Sequence, residues 1–172
     1  VGEGEHARES LVVAGTHGKT TTTGILSHML TALNLDPTFL IGGVMQSARN
    51  EVGDIVKEGV SHHVGNGKYV AFEGDEYDTS FFDARPKFLH YRPSSAIITS
   101  VEWDHIDIYP DVPTYTKAFE HLIEVTRNNL IVSHTYPLLN DLIKSTKTNA
   151  HVLVYGLDDS CDLRPELKDI RP

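Results

Sequence analysis

Cysteine is almost absent from this chain: Cys161 is the only one among 172 residues. No internal disulfide can form, and the reducing cytoplasm is the expected compartment. Long apolar runs are absent too. No stretch approaches the roughly 18 uninterrupted apolar residues that a membrane span needs. The opening VGEGEHARES carries neither a basic segment nor an apolar one, so it does not read as a signal peptide. No membrane partner is expected. Positive charge is scarce: 15 Lys and Arg against 24 Asp and Glu leave a formal net charge of −9. Such a surface repels polyanions, which argues against nucleic acid as a partner. A phosphate ligand would need donors gathered locally rather than a basic face. Repeats and low-complexity tracts are missing as well.

What is present suits one globular domain. Hydrophobic residues make up 40% and charged residues 23% of the chain, a soluble composition, and the length is enough to bury a full core. Leu11-Val12-Val13-Ala14 is a continuous apolar run ending at Gly15, as in a strand buried on both faces. From Gly18 the period changes. Ile25, Met29 and Leu33 recur every four residues with Leu26 and Leu30 beside them, an amphipathic helical stripe that Asn34 and Asp36-Pro37 close. Further strands are expected at Tyr69–Phe72, Ala96–Thr99, Leu130–Val132 and Val152–Tyr155. Helices are expected around Tyr115, Phe119, Leu122 and Ile123, behind Pro113, and around Leu138, Leu139, Leu142 and Ile143. Strands alternating with helices predict an α/β fold, a mostly parallel sheet flanked by helices, over residues 10–156. Residues 42–67 hold Gly42, Gly43, Gly53, Gly59, Gly65 and Gly67 without a clean period and read as loops, His62-His63 among them. Phe81, Phe82, Phe88 and Tyr91 read as packing residues. The polar tail after Gly156 reads as the start of something truncated, and Gly2-Glu3-Gly4 reads as linker.

Three segments can carry chemistry. The first is Gly15-Thr16-His17-Gly18-Lys19-Thr20-Thr21, set between the first strand and the first helix. Glycines let the backbone wrap a phosphate with its N–H groups pointing inward, and the helix N-terminus adds partial positive charge. Lys19 can reach terminal phosphates and the Thr20 hydroxyl can bind Mg²⁺. The common form of this loop has four residues between its glycines; here Thr16 and His17 alone separate Gly15 from Gly18. The alternative is a plain turn that happens to contain Gly-Lys-Thr, but the flanking strand and helix are the context a phosphate loop requires.

The second segment is Phe72-Glu73-Gly74-Asp75-Glu76-Tyr77-Asp78. For any one of its carboxylates a solvated acidic turn is the default. Glu73 differs because it falls at the C-terminal end of an expected buried strand, where parallel sheets bind ligands and where a carboxylate can hold Mg²⁺. The third is Glu102-Trp103-Asp104-His105-Ile106-Asp107, again just past a strand end. A neutral imidazole can bind a divalent ion and a neighbouring carboxylate can orient it. Brought to one sheet edge, the three imply Mg-assisted phosphoryl transfer from ATP. A P-loop switch that holds nucleotide without chemistry would not need the Asp-His pair, and a P-loop kinase would need a lid of arginines that the chain lacks.

VAGTHGKTTTT, FEGDEYD and EWDHID, in this order and spacing, resemble the central ATP-binding domain of the Mur ligases, which build the peptide stem of bacterial peptidoglycan. FLIGGV followed by DEYDTSFFDARPKFLHYRP is similar to the branch that joins UDP-N-acetylmuramate to the murein tripeptide L-alanyl-γ-D-glutamyl-meso-diaminopimelate in cell-wall recycling. The neighbouring branch joins UDP-N-acetylmuramate to L-alanine. The resemblance implies three domains, of which this chain holds the middle one. Residues 1–9 would link from an N-terminal domain and 157–172 would begin the link to a C-terminal one. It implies that the muramate carboxylate attacks the γ-phosphate of ATP and that the peptide amine then displaces phosphate to form an amide. Residues Gly15, Thr16, His17, Gly18, Lys19, Thr20 and Thr21 would hold ATP, with Lys19 stabilising the transferring phosphoryl group. Thr20 and Glu73 would bind one Mg²⁺ and His105 the second. The anionic sugar nucleotide would meet the Gly42-Gly43 loop, Arg49 and the Arg85–Arg92 stretch. Two positions depart from the family pattern: Phe119 stands where many Mur ligases carry a carbamylated lysine, with Lys117 two residues away, and Ser100 stands where relatives often have Asn.

Overall fold

The structure, a computed structural model, describes residues 7–44, 48–49, 55–57, 59–76, 78–80, 83–103 and 109–166. The apolar run at Leu11–Ala14 lies in β1 (Glu9–Ala14), and Val12, Val13 and Ala14 are completely buried. The loop after it opens α1 (Lys19–Ala32), which leads to β2 (Thr38–Leu40). The short strands β3 (Ala48–Arg49), β4 (Ile55–Lys57) and β5 (His62–His63) precede β6 (Tyr69–Gly74). A second short pair, β7 (Asp78–Ser80) and β8 (Asp83–Pro86), leads into the single turn α2 (Lys87–His90). The remainder alternates regularly: β9 (Ser95–Ile98), α3 (Val112–Val125), β10 (Asn129–Ser133), α4 (Pro137–Ser145) and β11 (His151–Tyr155).

Seven strands form one sheet in the order β11-β10-β9-β1-β6-β2-β5, parallel throughout except for β5 at the edge. The α/β expectation holds. Alternation along each strand splits the core in two. Val12, Ala14, Ala96, Ile98, Leu130 and Val132 face α2, α3 and α4, while Leu30 of α1 packs with Phe39, Ile41 and Ala71. Helix α3 starts where Pro113 and an N-cap direct: the Thr114 N–H donates to Asp111 Oδ1 at 2.8 Å. Its predicted apolar face, Tyr115, Phe119, Leu122 and Ile123, is wholly buried.

Two expectations are corrected. The stripe Ile25, Met29 and Leu33 does not face the core; these residues are 57, 55 and 66% exposed. Helix α1 instead buries Thr23, Ser27 and Leu30. The Thr23 hydroxyl donates to the Lys19 carbonyl and the Ser27 hydroxyl to the Thr23 carbonyl, each at 2.8 Å, so these small polar side chains enter the interior already satisfied. The second correction concerns residues 42–67, expected as loops: β3, β4 and β5 all fall there, the last at His62-His63. Leu40 and Phe39 pair with them in antiparallel register, making β5 the edge of the main sheet. The polar stretch after Gly156 turns back on β11: the Leu163 N–H donates to Val154 O at 3.1 Å, and Cys161 is buried.

Candidate nucleotide site

The order in which strands are added to the sheet reverses at β1. Helix α1 carries the chain to β2 on one side, and later it crosses to β9 on the other. The crevice at the carboxyl ends of such strands is where open parallel sheets take their ligands. The residues 15–21 loop leaves β1 at this point. Gly15 and Gly18 have φ of 134° and 82°, conformations that L side chains rarely adopt. A Cβ at Gly15 would also collide with Thr99 Oγ1 and come within 2.8 Å of the Ser100 main chain.

That close approach is how the loop is held. The Thr16 N–H donates to Ser100 O at 3.1 Å and the His17 N–H to Ser100 Oγ at 2.8 Å. The Thr99 hydroxyl donates to His17 O at 2.6 Å. Ser100 therefore clamps the loop from a position where the sequence showed only a departure from family pattern. Beneath, the Thr16 hydroxyl donates to Glu102 O at 3.0 Å, accepts from the Glu102 N–H at 2.9 Å and meets the Tyr115 hydroxyl at 2.8 Å. Tyr115 packs edge-on against Tyr109 and Phe119, with centroids 5.1 and 5.2 Å away. His17 and Glu102 also approach to 3.5 Å, but both side chains are mostly solvated, so the contact adds little.

Lys19 does not point into solvent. Its Nζ donates to Gly15 O at 2.6 Å and to Glu76 Oε1 at 3.0 Å, with Glu76 Oε2 at 2.9 Å. Glu76 is fully buried. The default of a solvated acidic turn fails for this residue, which little in the local sequence singles out. Its signal was present only as an acid three residues past Glu73. Thr20 and Glu73 meet as expected: the Thr20 hydroxyl donates to Glu73 Oε1 at 2.8 Å. The Gly42 N–H donates to Glu73 Oε2 at 2.6 Å, so the Gly42-Gly43 loop is tied to the same carboxylate. Thr21 is exposed on the first turn of α1.

Beside Glu73, a cavity of about 220 Å³ opens between Ile41, Gly42, Asp75, Lys87 and Tyr91. The Lys87 ammonium donates to Asp75 Oδ2 at 2.9 Å, and this hydrogen bond raises its pKa above the ordinary lysine value. Tyr91 stacks on Phe72, centroids 4.4 Å apart, and burial raises its pKa. Asp104, His105 and Asp107 lie outside the described residues, as do Phe81, Phe82 and the side chains of Arg49 and Arg85. Among the described residues no three His, Cys, Asp or Glu side chains gather into a protein-only metal cage. The Thr20–Glu73 pair supplies hard oxygen donors next to a phosphate loop. That donor set suits Mg²⁺, which keeps waters and phosphate oxygens as its other ligands. Phe119 is completely buried against Phe88 and Tyr115, and Lys117 is exposed.

Residues 13–170 match the family described as Mur ligase middle domain. The chain is 41% identical over 124 residues to the UDP-N-acetylmuramate–L-alanyl-γ-D-glutamyl-meso-2,6-diaminoheptandioate ligase of Haemophilus influenzae, covering 72% of this chain and 25% of that protein. It is 35% identical over 159 residues to the UDP-N-acetylmuramate–L-alanine ligase of Syntrophomonas wolfei, covering 91% of this chain and 30% of that one. Among solved structures, the UDP-N-acetylmuramate:L-alanyl-γ-D-glutamyl-meso-diaminopimelate ligase of Neisseria meningitides superposes with a TM-score of 0.70 at 33% identity, over 88% of this chain and 47% of that chain. The chain thus spans about a quarter of the length of the curated relatives it matches. Sheet order, loop and family match agree, and the chain belongs to the Mur ligase family, of which it carries the middle domain.

Proposed function

We propose that this chain is the ATP-binding part of a ligase that joins the carboxylate of UDP-N-acetylmuramate to the amine of L-alanyl-γ-D-glutamyl-meso-diaminopimelate, through an acyl phosphate, in cytoplasmic peptidoglycan recycling. The observation that carries this is one sheet edge holding a glycine loop, the loop lysine and the Thr20–Glu73 pair at 2.8 Å. Loop N–H groups and the start of α1 face the polyphosphate, and the Lys19 ammonium offsets charge on the transferring phosphoryl group. Mg²⁺ held by Thr20 and Glu73 would neutralise charge on the phosphate oxygens, and His105 would serve a second ion. The carboxylate oxygen of the sugar acid forms a bond to the γ-phosphorus as the bond to the ADP oxygen breaks. The amine then displaces inorganic phosphate from the acyl carbon. Lys87, at the rim of the cavity beside Glu73, would offer the anionic acid substrate a positive group if it exchanged its contact with Asp75 for one with the substrate. The segments before β1 and after Leu163 would lead toward an N-terminal sugar-nucleotide domain and a C-terminal amine-binding domain, while Glu9 and residues 157–163 belong to the fold itself.

Identity to the tripeptide ligase supports the choice of amine. A second reading, the L-alanine ligase, is favoured by the match that covers 91% of this chain. Phosphate release by the full-length protein, with each amine in turn at matched concentration, separates them. Release should require ATP, UDP-N-acetylmuramate and an amine together, and the tripeptide should outperform L-alanine. Faster turnover with L-alanine assigns the second reading, and release independent of the acid or the amine sinks both.

A further inference from the structure

Glu76 is 0% exposed in a chain of net charge −9, and it lies against the one side chain of the loop that carries a permanent charge. Acids are seldom fully buried unless paired. A buried ion pair is weak evidence for stability, because desolvating both charges offsets most of their attraction and apolar replacements often fold as well. The pair therefore needs a reason other than folding. Its geometry supplies one. The Glu76 main chain is held in place, since the Tyr109 hydroxyl donates to Glu76 O. Tyr109 rests against Tyr115, whose hydroxyl touches Thr16 of the loop. The carboxylate is thus anchored in the same buried layer that supports the loop, and Lys19 reaches it on a four-carbon stem while also donating to Gly15 O and Thr16 O.

We propose that Glu76 is the positioning residue for Lys19: it fixes where the ammonium meets the polyphosphate and competes with the polyphosphate for that charge. This rests on the reading of the loop as an ATP site. The carboxylate neutralises much of the ammonium's pull on a phosphate, so Glu76 lowers affinity through Lys19 while holding Lys19 in register for phosphoryl transfer.

The two consequences have opposite signs, which a merely structural residue does not produce. In the full-length protein, Glu76→Gln keeps the shape and removes the charge. MgATP should bind on the order of tenfold more tightly by calorimetry, while turnover at saturating ATP falls. In a Lys19→Ala background the same substitution should leave MgATP affinity unchanged, because the effect passes through the ammonium. Should Glu76→Gln give no cooperative melting transition, Glu76→Asp, which withdraws the carboxylate by one methylene, is measured instead with the same signs expected. Unchanged or weaker binding, an equal shift in both backgrounds, or undiminished turnover overturns the proposal. A wild-type protein that binds no MgATP overturns the ATP-site reading itself, a result distinct from either.

Discussion

Thr20, in the first turn of α1, and Glu73, at the end of β6, share a hydrogen bond of 2.8 Å although they leave different strands of the sheet. The parallel register of β1 with β6 sets Ala14 beside Gly74, so the two chain exits open side by side. The pair is accordingly sensitive to charge rather than to packing. Glu73→Ala should raise the Mg²⁺ concentration needed for half-maximal phosphate release by about tenfold or more, the usual scale for loss of a group that orders a metal site. Its melting temperature should stay near wild type, because the side chain is only half-buried. A Mg²⁺ titration of the full-length variant checks this, and an unchanged midpoint would remove Glu73 from the metal site.

Lys19→Ala deletes the loop's ammonium. A charge-assisted phosphate contact is worth about 1.5–3 kcal/mol, or roughly 10–150-fold in affinity. MgATP binding by calorimetry should weaken within that range. Equal affinity in wild type and variant would place Lys19 outside the site.

The pH dependence of α3 follows from its cap. Hydrogen bonds from Thr114, side chain first and main chain second, hold the Asp111 pKa below its ordinary 3.8. A lowered pKa contributes stability that is fully present above the unfolded value and is lost as pH falls through the folded one. Asp111→Ala should therefore melt below wild type near neutrality, and the difference should close as the pH is taken well below 3.8. A gap of constant size in melting curves across that range would show that the carboxylate charge does not matter.

The sequence made β1, the loop and α1 legible because an apolar run, two glycines and a change of period are local signals. Each expected parallel strand reappears within a residue or two of its position, for the same reason. The rotation of α1 was not legible. Ile25, Met29 and Leu33 have helical spacing, but the loop fixes Lys19 and Thr20 toward the site, and that setting turns Thr23 and Ser27 inward. Hydropathy scores those two as polar and cannot see that the helix's own carbonyls satisfy them. Glu76 was hidden for a related reason: its burial depends on a lysine 57 residues away. The two-residue strand β5 carries too little pattern to read, since only its pairing with β2 defines it.

Phe119 shows whether a lysine could be accommodated at this point of α3. The ring is wholly enclosed, tilted against Phe88 at 5.9 Å and edge-on to Tyr115 at 5.2 Å between centroids. Phe119→Lys would delete those contacts and bring an ammonium among Leu122, Ile98 and Leu130, which belong to the same apolar cluster. Losing a buried aromatic ring alone costs about 3–5 kcal/mol, and an unpaired buried charge adds to that. The lysine pKa would have to fall, or the helix would have to move, before the group could be accommodated. Tyr115 would shift with it, and its hydroxyl contact to Thr16 carries the disturbance to the nucleotide loop. The expected outcome is a large drop in the midpoint of urea unfolding, together with loss of MgATP binding, and not the gain of a second metal ligand. A Phe119→Lys protein that unfolds at the wild-type urea concentration and binds MgATP normally would show that this part of α3 is not packed as described.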